Sequence, residues 1–239
     1  MSIKVLDHGY VRLVEYWGMG DSDEPEAAII EAARMSTGKG FNGWDSDAKL
    51  LAYLYEHKHM TPFEMCGMVI EVKAPIFVFR EWHRHRTQSY NEMSARYIPI
   101  PDEHYEPDFK LLMARASAAV KSTNRQAQSV PLTGIDEHNI GLWLRCLERH
   151  YKESQNLYQM GLEVGVPKEL ARLPMAVGRY SAMRASANLR NWLQFLTLRM
   201  ANNAQWEIRQ YAKAVGQIIA ETFPRTWSLF AKEIANGGE

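Results

Sequence analysis

Residues 188–200, NLRNWLQFLTLRM, constrain the fold more than any other stretch. Leu189, Trp192, Leu193, Phe195, Leu196, Leu198 and Met200 would make a helix here apolar almost all round, and a helix without a polar face has to be enclosed by the rest of the chain. Yet Arg190, Gln194 and Arg199 ride on it. At about 100° per residue, Arg199 falls about 20° from Trp192. An unpaired buried charge is costly, roughly 3–5 kcal/mol when its mate is removed. Two arrangements satisfy Arg199: an internal pair with a carboxylate, or a cavity holding an anionic or carbonyl-bearing ligand.

A second stretch, 80–97, concentrates charge of its own. REWHRHRTQSYNEMSARY holds Arg80, Arg84, Arg86 and Arg96 with His83 and His85, against only Glu81 and Glu92. The whole chain balances 28 basic with 28 acidic residues, so this positive charge is local and marks an anion site, with a solvated basic face as the alternative. Guanidinium forks match phosphate and carboxylate oxygens, and the interleaved Thr87, Gln88, Ser89, Asn91 and Ser94 can read hydroxyls and ring carbonyls.

The remaining elements follow in order. Residues 3–6 and 10–17 read as short strands joined at Asp7-His8-Gly9, followed by a helix with Pro25 near its first turn and Ile29, Ile30, Ala33 and Met35 apolar. Asp45-Ser46-Asp47 reads as the cap of a helix through Ala48, Leu51, Leu54 and Tyr55, stopped near Pro62. Residues 65–73 alternate as a strand with Cys66, Met68, Ile70 and Val72 on one face. Pro75 opens a helix through Trp82, so the arginine stretch begins on a rigid base. Residues 98–107 form an extended connector, 109–120 a helix, and 121–134 a polar linker or surface loop. A long helix runs from 136 to about 164 with Ile140, Trp143, Leu144, Leu147, Tyr151 and Tyr158 as its buried stripe, ended by Gly165. Pro167 opens a short segment, 168–173; residues 175–187 read as a strand, and 203–234 as helices.

At 239 residues and 46% hydrophobic content the chain can bury a full core in one domain, 1–239. It has no apolar run near the ~20 residues of a membrane span, and MSIKVLDHGY lacks the layout of a secretion signal, so a cytoplasmic location is expected. Cys66 and Cys146 lie far apart, which fits a reducing compartment. Several other constellations fail on context. Gly38 to Gly43 spells GxGxxG but follows a helix, where the dinucleotide fold needs a strand. The pairs His57/His59 and His83/His85 point about 200° apart on a helix, so no metal site is assigned. Ser89 or Ser94 with His85 lacks the GxSxG turn of a serine hydrolase. A nucleic-acid module would use Arg84, Arg86 and Arg96 with Trp82, Tyr90 and Tyr97 as stacking faces, and this is the alternative from another class.

Arg84-His85-Arg86 followed after seven residues by Ser94, together with Ser89, Tyr90, Asn91, Glu92, Arg96 and Tyr97, resembles the signature of the flavin-dependent thymidylate synthases. The resemblance extends to His59-x-Thr61-Pro62-Phe63-Glu64, 73–78, Gly165-Val166-Pro167 with Ala171-Arg172, and Asn188-x-Arg190 through Arg199 to Glu207. It implies an α+β fold: an antiparallel sheet with flanking helices and a long buried C-terminal helix. It also implies conversion of dUMP to dTMP with methylenetetrahydrofolate as one-carbon donor and NADPH-reduced FAD, in a homotetramer with sites at subunit interfaces and no membrane or nucleic-acid polymer as partner. By matched position, Thr61, Arg84, His85, Arg86, Glu92, Asn188, Arg190 and Gln194 would contact FAD, with His59 close by. Glu81, Arg84, Glu92, Ser94, Arg96, Arg172 and Arg199 would meet dUMP, the 92–96 run coming from a neighbouring chain, and Arg199 would polarise the uracil ring. Glu81, Gln194 and Asn203 depart from the residues usual in that family, which are glutamine, asparagine or histidine, and histidine.

Overall fold

The computed structural model describes residues 1–19, 23–121 and 136–236. The chain divides into two compact units. The first comprises Met1–Ala74, Val78–Glu92 and Ala182–Glu239, and the second Pro75–Phe77 with Met93–Ser181.

The first unit is built on a sheet. Strands β1 (Ser2–Val5), β2 (Gly9–Trp17), β3 (Gly67–Pro75), β4 (Ser89–Glu92) and β5 (Tyr180–Asn188) lie in the order β1-β2-β3-β5-β4. The pairings β1–β2, β2–β3 and β4–β5 are antiparallel, with a register shift between Leu13 and Glu15. Alternation along β3 is as the sequence implies, with Cys66, Met68, Ile70 and Val72 fully buried. Strand β4 has no counterpart in the sequence reading. Its four residues pair with β5 in the register Tyr90↔Ala185, and that pairing fixes the far end of the arginine stretch.

Helices α1 (Ala27–Arg34) and α2 (Trp44–Glu56) precede β3, α3 (Ile76–Trp82) follows it, and α7 (Leu189–Arg199), α8 (Trp206–Thr222) and α9 (Pro224–Asn236) close the chain. In α7, Leu189, Trp192, Leu193, Phe195 and Leu196 are buried. The expected all-round burial is not met: Leu198 is exposed, and Arg190 and Gln194 reach solvent. The longer buried helix is α8, where Ile208, Tyr211, Val215, Ile218 and Ile219 are fully enclosed. Trp82 stacks on Phe195 at 4.6 Å between ring centres, and Trp192 donates its indole N–H to the Met68 carbonyl at 3.1 Å. The Tyr211 hydroxyl donates to the Lys73 carbonyl at 2.9 Å. It leaves no room above it: a Cβ at Gly9 would stand 2.0 Å from its oxygen, so only glycine fits there. The Glu26 carboxylate, 1% exposed, accepts from the Arg225 and Thr226 N–H groups and thereby caps α9.

Asp45-Ser46-Asp47 does not cap α2, which starts one residue earlier, after Gly43. The three residues lie in its first turn. Asp47 is fully buried, accepting both Arg34 nitrogens and the Asn42 N–H. This bond set holds the glycine loop 38–43, which follows a helix and a short 3-10 turn as expected.

The second unit contains α4 (Phe109–Lys121), α5 (Glu137–Glu163) and α6 (Lys168–Ala171). Asp136 caps α5 by accepting from the His138 N–H at 3.0 Å. Of the expected buried stripe of α5 only Tyr151 and Tyr158, in its C-terminal half, are buried, with Ser154 between them; Trp143 is 52% exposed. Gly165 ends the helix turn with φ +83°, a conformation that favours glycine. Arg179, fully buried, donates to the Ile100 and Pro101 carbonyls and to Gln155, and so holds the proline connector. The polar run expected as a linker lies, apart from Lys121, outside the described residues. No helix among the described residues is long and apolar enough to cross a membrane.

Candidate active site

The arginine stretch leaves α3 in a tight turn whose side chains alternate between inside and outside. His85 N–H donates to the Trp82 carbonyl at 3.0 Å and Gln88 N–H to the His85 carbonyl at 3.1 Å. His85 and Gln88 point into the protein, while Arg84, Arg86 and Thr87 are exposed. Gln88 is held by the indole N–H of Trp82 at 3.0 Å, and the Tyr90 hydroxyl lies 2.8 Å from the His85 carbonyl. Burial pushes the Tyr90 hydroxyl above its ordinary pKa. Two guanidinium groups thus stand outward on a turn anchored by its buried residues. Among the described residues neither Arg84 nor Arg86 has a carboxylate within ion-pair distance, which leaves both free for a ligand anion.

Helix α7 brings Arg199 against this turn. Asn188 caps the helix by accepting from the Asn191 N–H at 3.0 Å, and Arg199 occupies the last turn, where the helix dipole favours a cation. Its Nε donates to His85 Nε2 at 2.8 Å, Nη1 to Glu81 Oε2 at 2.9 Å, and Nη2 to the Glu81 carbonyl at 2.8 Å. The internal ion pair is therefore real. A guanidinium has five N–H donors, so one hydrogen on each terminal nitrogen is still available. His85 is driven down to about 4 by burial first and by the Arg199 charge second, with Glu81 opposing. It is neutral near pH 7, and because Nε2 accepts from Arg199, the proton sits on Nδ1.

The other residues expected at the site fall into two groups. In the first unit, His59 follows Lys58, whose φ of +57° turns the chain out of α2, and Thr61-Pro62 opens a 3-10 turn. His59, Thr61, Pro62 and Met65 line a cavity of about 440 Å³ with Ala32, Ala33, Met35 and Leu54. Arg190 pairs with Glu64, Gln194 is exposed, and Glu92 ends β4. In the second unit, the Ser94 hydroxyl accepts from the Arg96 N–H at 3.3 Å, and Arg96 Nε lies 3.6 Å from Glu169. Arg172 Nε donates to the Glu169 carbonyl at 3.3 Å, and Lys168 Nζ to the Tyr97 carbonyl at 2.9 Å. The sequence places Lys168 at the start of the segment behind Pro167 but gives it no site role.

The alternatives lose ground on the same geometry. Trp82 is fully buried and cannot be a stacking face for nucleic acid; only Tyr97, 73% exposed, is open. His57 gives Nδ1 to the Tyr53 carbonyl, 3.0 Å away. Among the described residues no group of three or more His, Cys, Asp or Glu is placed to hold a metal ion.

Comparison with known proteins gives a consistent result. Residues 12–225 match the family model described as thymidylate synthase complementing protein. The match spans sequence from both units. A flavin-dependent thymidylate synthase of Thermus thermophilus is 40% identical over 237 residues, covering 99% of this chain and 81% of the relative. That of Thermosipho africanus is 38% identical over 246 residues, with both chains fully covered. The crystal structure of a UMP/dUMP methylase, PolB, from Streptomyces cacaoi bound with 5-Br dUMP is similar at 31% identity with a TM-score of 0.79, covering 96% of this chain and 97% of that one.

Proposed function

The chain belongs to the flavin-dependent thymidylate synthase family, and from that membership and its own site we infer that it converts dUMP to dTMP with FAD as cofactor. The observation carrying this reading is the pair of outward, carboxylate-free guanidinium groups of Arg84 and Arg86, on a turn whose buried His85 is bonded to Arg199. The donor set fits FAD. Arg84 and Arg86 suit a diphosphate, and the largely apolar cavity beside His59 and Thr61 suits a ring system. Thr61, Arg84, His85, Arg86, Glu92, Asn188, Arg190 and Gln194 would hold it, with His59 beside it. When bound, FAD supplies the reducing equivalents of the reaction.

The chain's own contributions are electrostatic. In this reading Glu81, Arg84, Glu92, Ser94, Arg96, Arg172 and Arg199 would meet dUMP by their matched positions, the 92–96 run coming from a neighbouring chain. Arg199, held on three sides, still has two N–H donors for a uracil carbonyl, and an already oriented donor costs no reorganisation as negative charge builds on the ring. Methylenetetrahydrofolate is the one-carbon donor and NADPH the reductant in this reading. Assembly as a homotetramer with sites at subunit interfaces is supported by the exposed Leu157, Met160, Leu170 and Leu173, apolar surface that a partner would cover. A cytoplasmic location is supported by two free cysteines. The test is direct: the purified protein should be yellow with near-stoichiometric flavin and form dTMP from dUMP, methylenetetrahydrofolate and NADPH. A colourless preparation that FAD cannot reconstitute, and that binds long polynucleotide with a steep salt dependence, would favour the nucleic-acid reading.

A further inference from the structure

Helix α9 is tied to other parts of the first unit at both ends. Glu26 caps its start, and near its end Glu233 reaches α2. The Glu233 carboxylate accepts from the Tyr55 hydroxyl with one oxygen and from Lys58 Nζ with the other, the latter at 2.5 Å. Glu233 lies beyond residue 225, where the match to the family model stops. Both donors sit where α2 ends and the chain turns toward the cavity. Lys58 has a φ of +57°, uncommon for a residue with a side chain, and the His59 N–H then returns to the Leu54 carbonyl at 2.8 Å. Tyr55 is 5% exposed, and its ring meets Phe63 edge-on at 6.0 Å between centres. Phe63 is fully buried and belongs to the 3-10 turn Thr61–Glu64. One carboxylate thus grips the chain before His59 directly, at Tyr55 and Lys58, and the chain after it through the Tyr55 ring. His59 and Thr61, between those two grips, line the cavity.

We propose that Glu233 is a positioning residue for the cofactor: through Tyr55 and Lys58 it fixes the exit of α2, so that His59 and Thr61 present one surface to a flavin ring in the cavity. The proposal rests on the FAD reading above and deepens it. The Lys58 and Glu233 side chains are 58% and 48% exposed, so screening leaves their coulombic attraction little weight. The directional contact is the one from Tyr55. Burial first and the Glu233 carboxylate second push that phenol above its ordinary pKa, so it stays a donor. Without the acceptor, the buried hydroxyl has to turn toward water, which shifts the Tyr55 ring against Phe63. The positive-φ turn at Lys58 also loses the tie that opposes its relaxation. The cavity wall then samples several conformations, and a bound flavin leaves faster.

The experiment follows release of FAD from the flavin-loaded protein, read as the rise in flavin fluorescence after dilution, with the melting temperature of the same preparations. Glu233→Ala should speed release about tenfold, the equivalent of one hydrogen bond to a charged group. Tyr55→Phe keeps the ring on Phe63 and loses only the hydroxyl, so it should do the same. The double variant should release within about twofold of either single one, since both remove the same bond. Glu233→Gln keeps an acceptor for the phenol and should stay within about threefold of wild type. Phe230→Leu is the control: Phe230, 2% exposed on α9, is remote from these hydrogen bonds, so its loss should lower Tm and leave release within about twofold. A merely structural Glu233 would lower Tm with release unchanged, and that result overturns the proposal. So do equally fast release in Phe230→Leu, single effects that multiply in the double variant, or Glu233→Gln releasing as fast as Glu233→Ala. If Glu233→Ala does not fold, Tyr55→Phe against Phe230→Leu decides. A wild type that holds no FAD would instead sink the cofactor reading, whereas a wild type that holds it beside unaffected variants sinks this proposal alone.

Discussion

Replacing Arg199 by lysine tests the site most sharply, because lysine keeps the charge and loses the fork. The guanidinium makes three polar contacts of 2.8–2.9 Å, to His85 Nε2, Glu81 Oε2 and the Glu81 carbonyl. An ammonium at the end of an unbranched stem can meet the Glu81 carboxylate but cannot also span His85 and the carbonyl. The Glu81 side chain is 41% exposed, so the coulombic part of that contact is screened toward the ~0.2–1 kcal/mol of surface pairs and matters little to the balance. Two lost hydrogen bonds at about 1 kcal/mol each dominate, less what the ammonium recovers, for a net loss of about 1–2 kcal/mol. For a chain of this size that lowers Tm by about 2–8 °C. Turnover should suffer far more. Removing one preoriented donor from a developing anion typically costs about 10²–10³ in rate, and Arg199→Lys removes the plane that orients two. Melting temperature, flavin content and dTMP formed per flavin should be measured on one preparation. A lowered Tm with turnover per flavin-loaded molecule within about twofold of wild type would refute the argument and return Arg199 to a purely structural role.

Three further outcomes are expected. Arg84→Ala and Arg86→Ala should each weaken FAD or dUMP binding by about 1–3 kcal/mol, read by titration; if both retain wild-type affinity for both ligands, the anion site lies elsewhere. Replacing both cysteines (Cys66→Ala with Cys146→Ser) should leave turnover intact, because burial pushes the Cys66 thiol above its ordinary pKa and neither cysteine is among the residues assigned to the site. For His85, the folded pKa of about 4 lies below the ordinary value of 6.5. The neutral ring's contribution is therefore fully present above about pH 6.5 and is lost as pH falls toward 4, by at most roughly 3 kcal/mol. Chemical denaturation across that range should show this decline in the wild type and a shallower one in His85→Gln.

Much of this was legible in the sequence wherever one local rule decided the outcome. The period-2 pattern at Cys66 to Val72, the Gly165 stop and the Asn188 start all stand as read, because each depends on residues adjacent in the chain. The failures are tertiary. Strand β4 is four residues long with no apolar alternation of its own, and exists because β5 pairs with it. The N-terminal half of α5 carries Trp143 and Leu142 outward although its spacing implies a buried stripe. Asp47 looked like a helix cap and is instead the buried partner of Arg34. At the site, sequence brought Arg199 to two alternatives, internal pair or ligand cavity. It could not see that Glu81, 118 positions away, supplies the first without using up the donors needed for the second.

That coexistence explains how a charge can ride on a helix as apolar as α7. Trp82, Trp192 and Phe195 pack against one another in the core, and their burial sets how closely α7 approaches the end of α3. Arg199 at the last turn of one helix then meets Glu81 near the last turn of the other. Because Glu81 precedes Trp82 by one residue, the side chain that anchors the aromatic cluster fixes the carboxylate as well. Hydrophobic packing here determines where a guanidinium plane points. A core change such as Phe195→Ala, which leaves every polar residue of the site in place, would disturb Arg199 through the ring that both Trp82 and His85 touch. The electrostatics of this site are in that sense a property of its core.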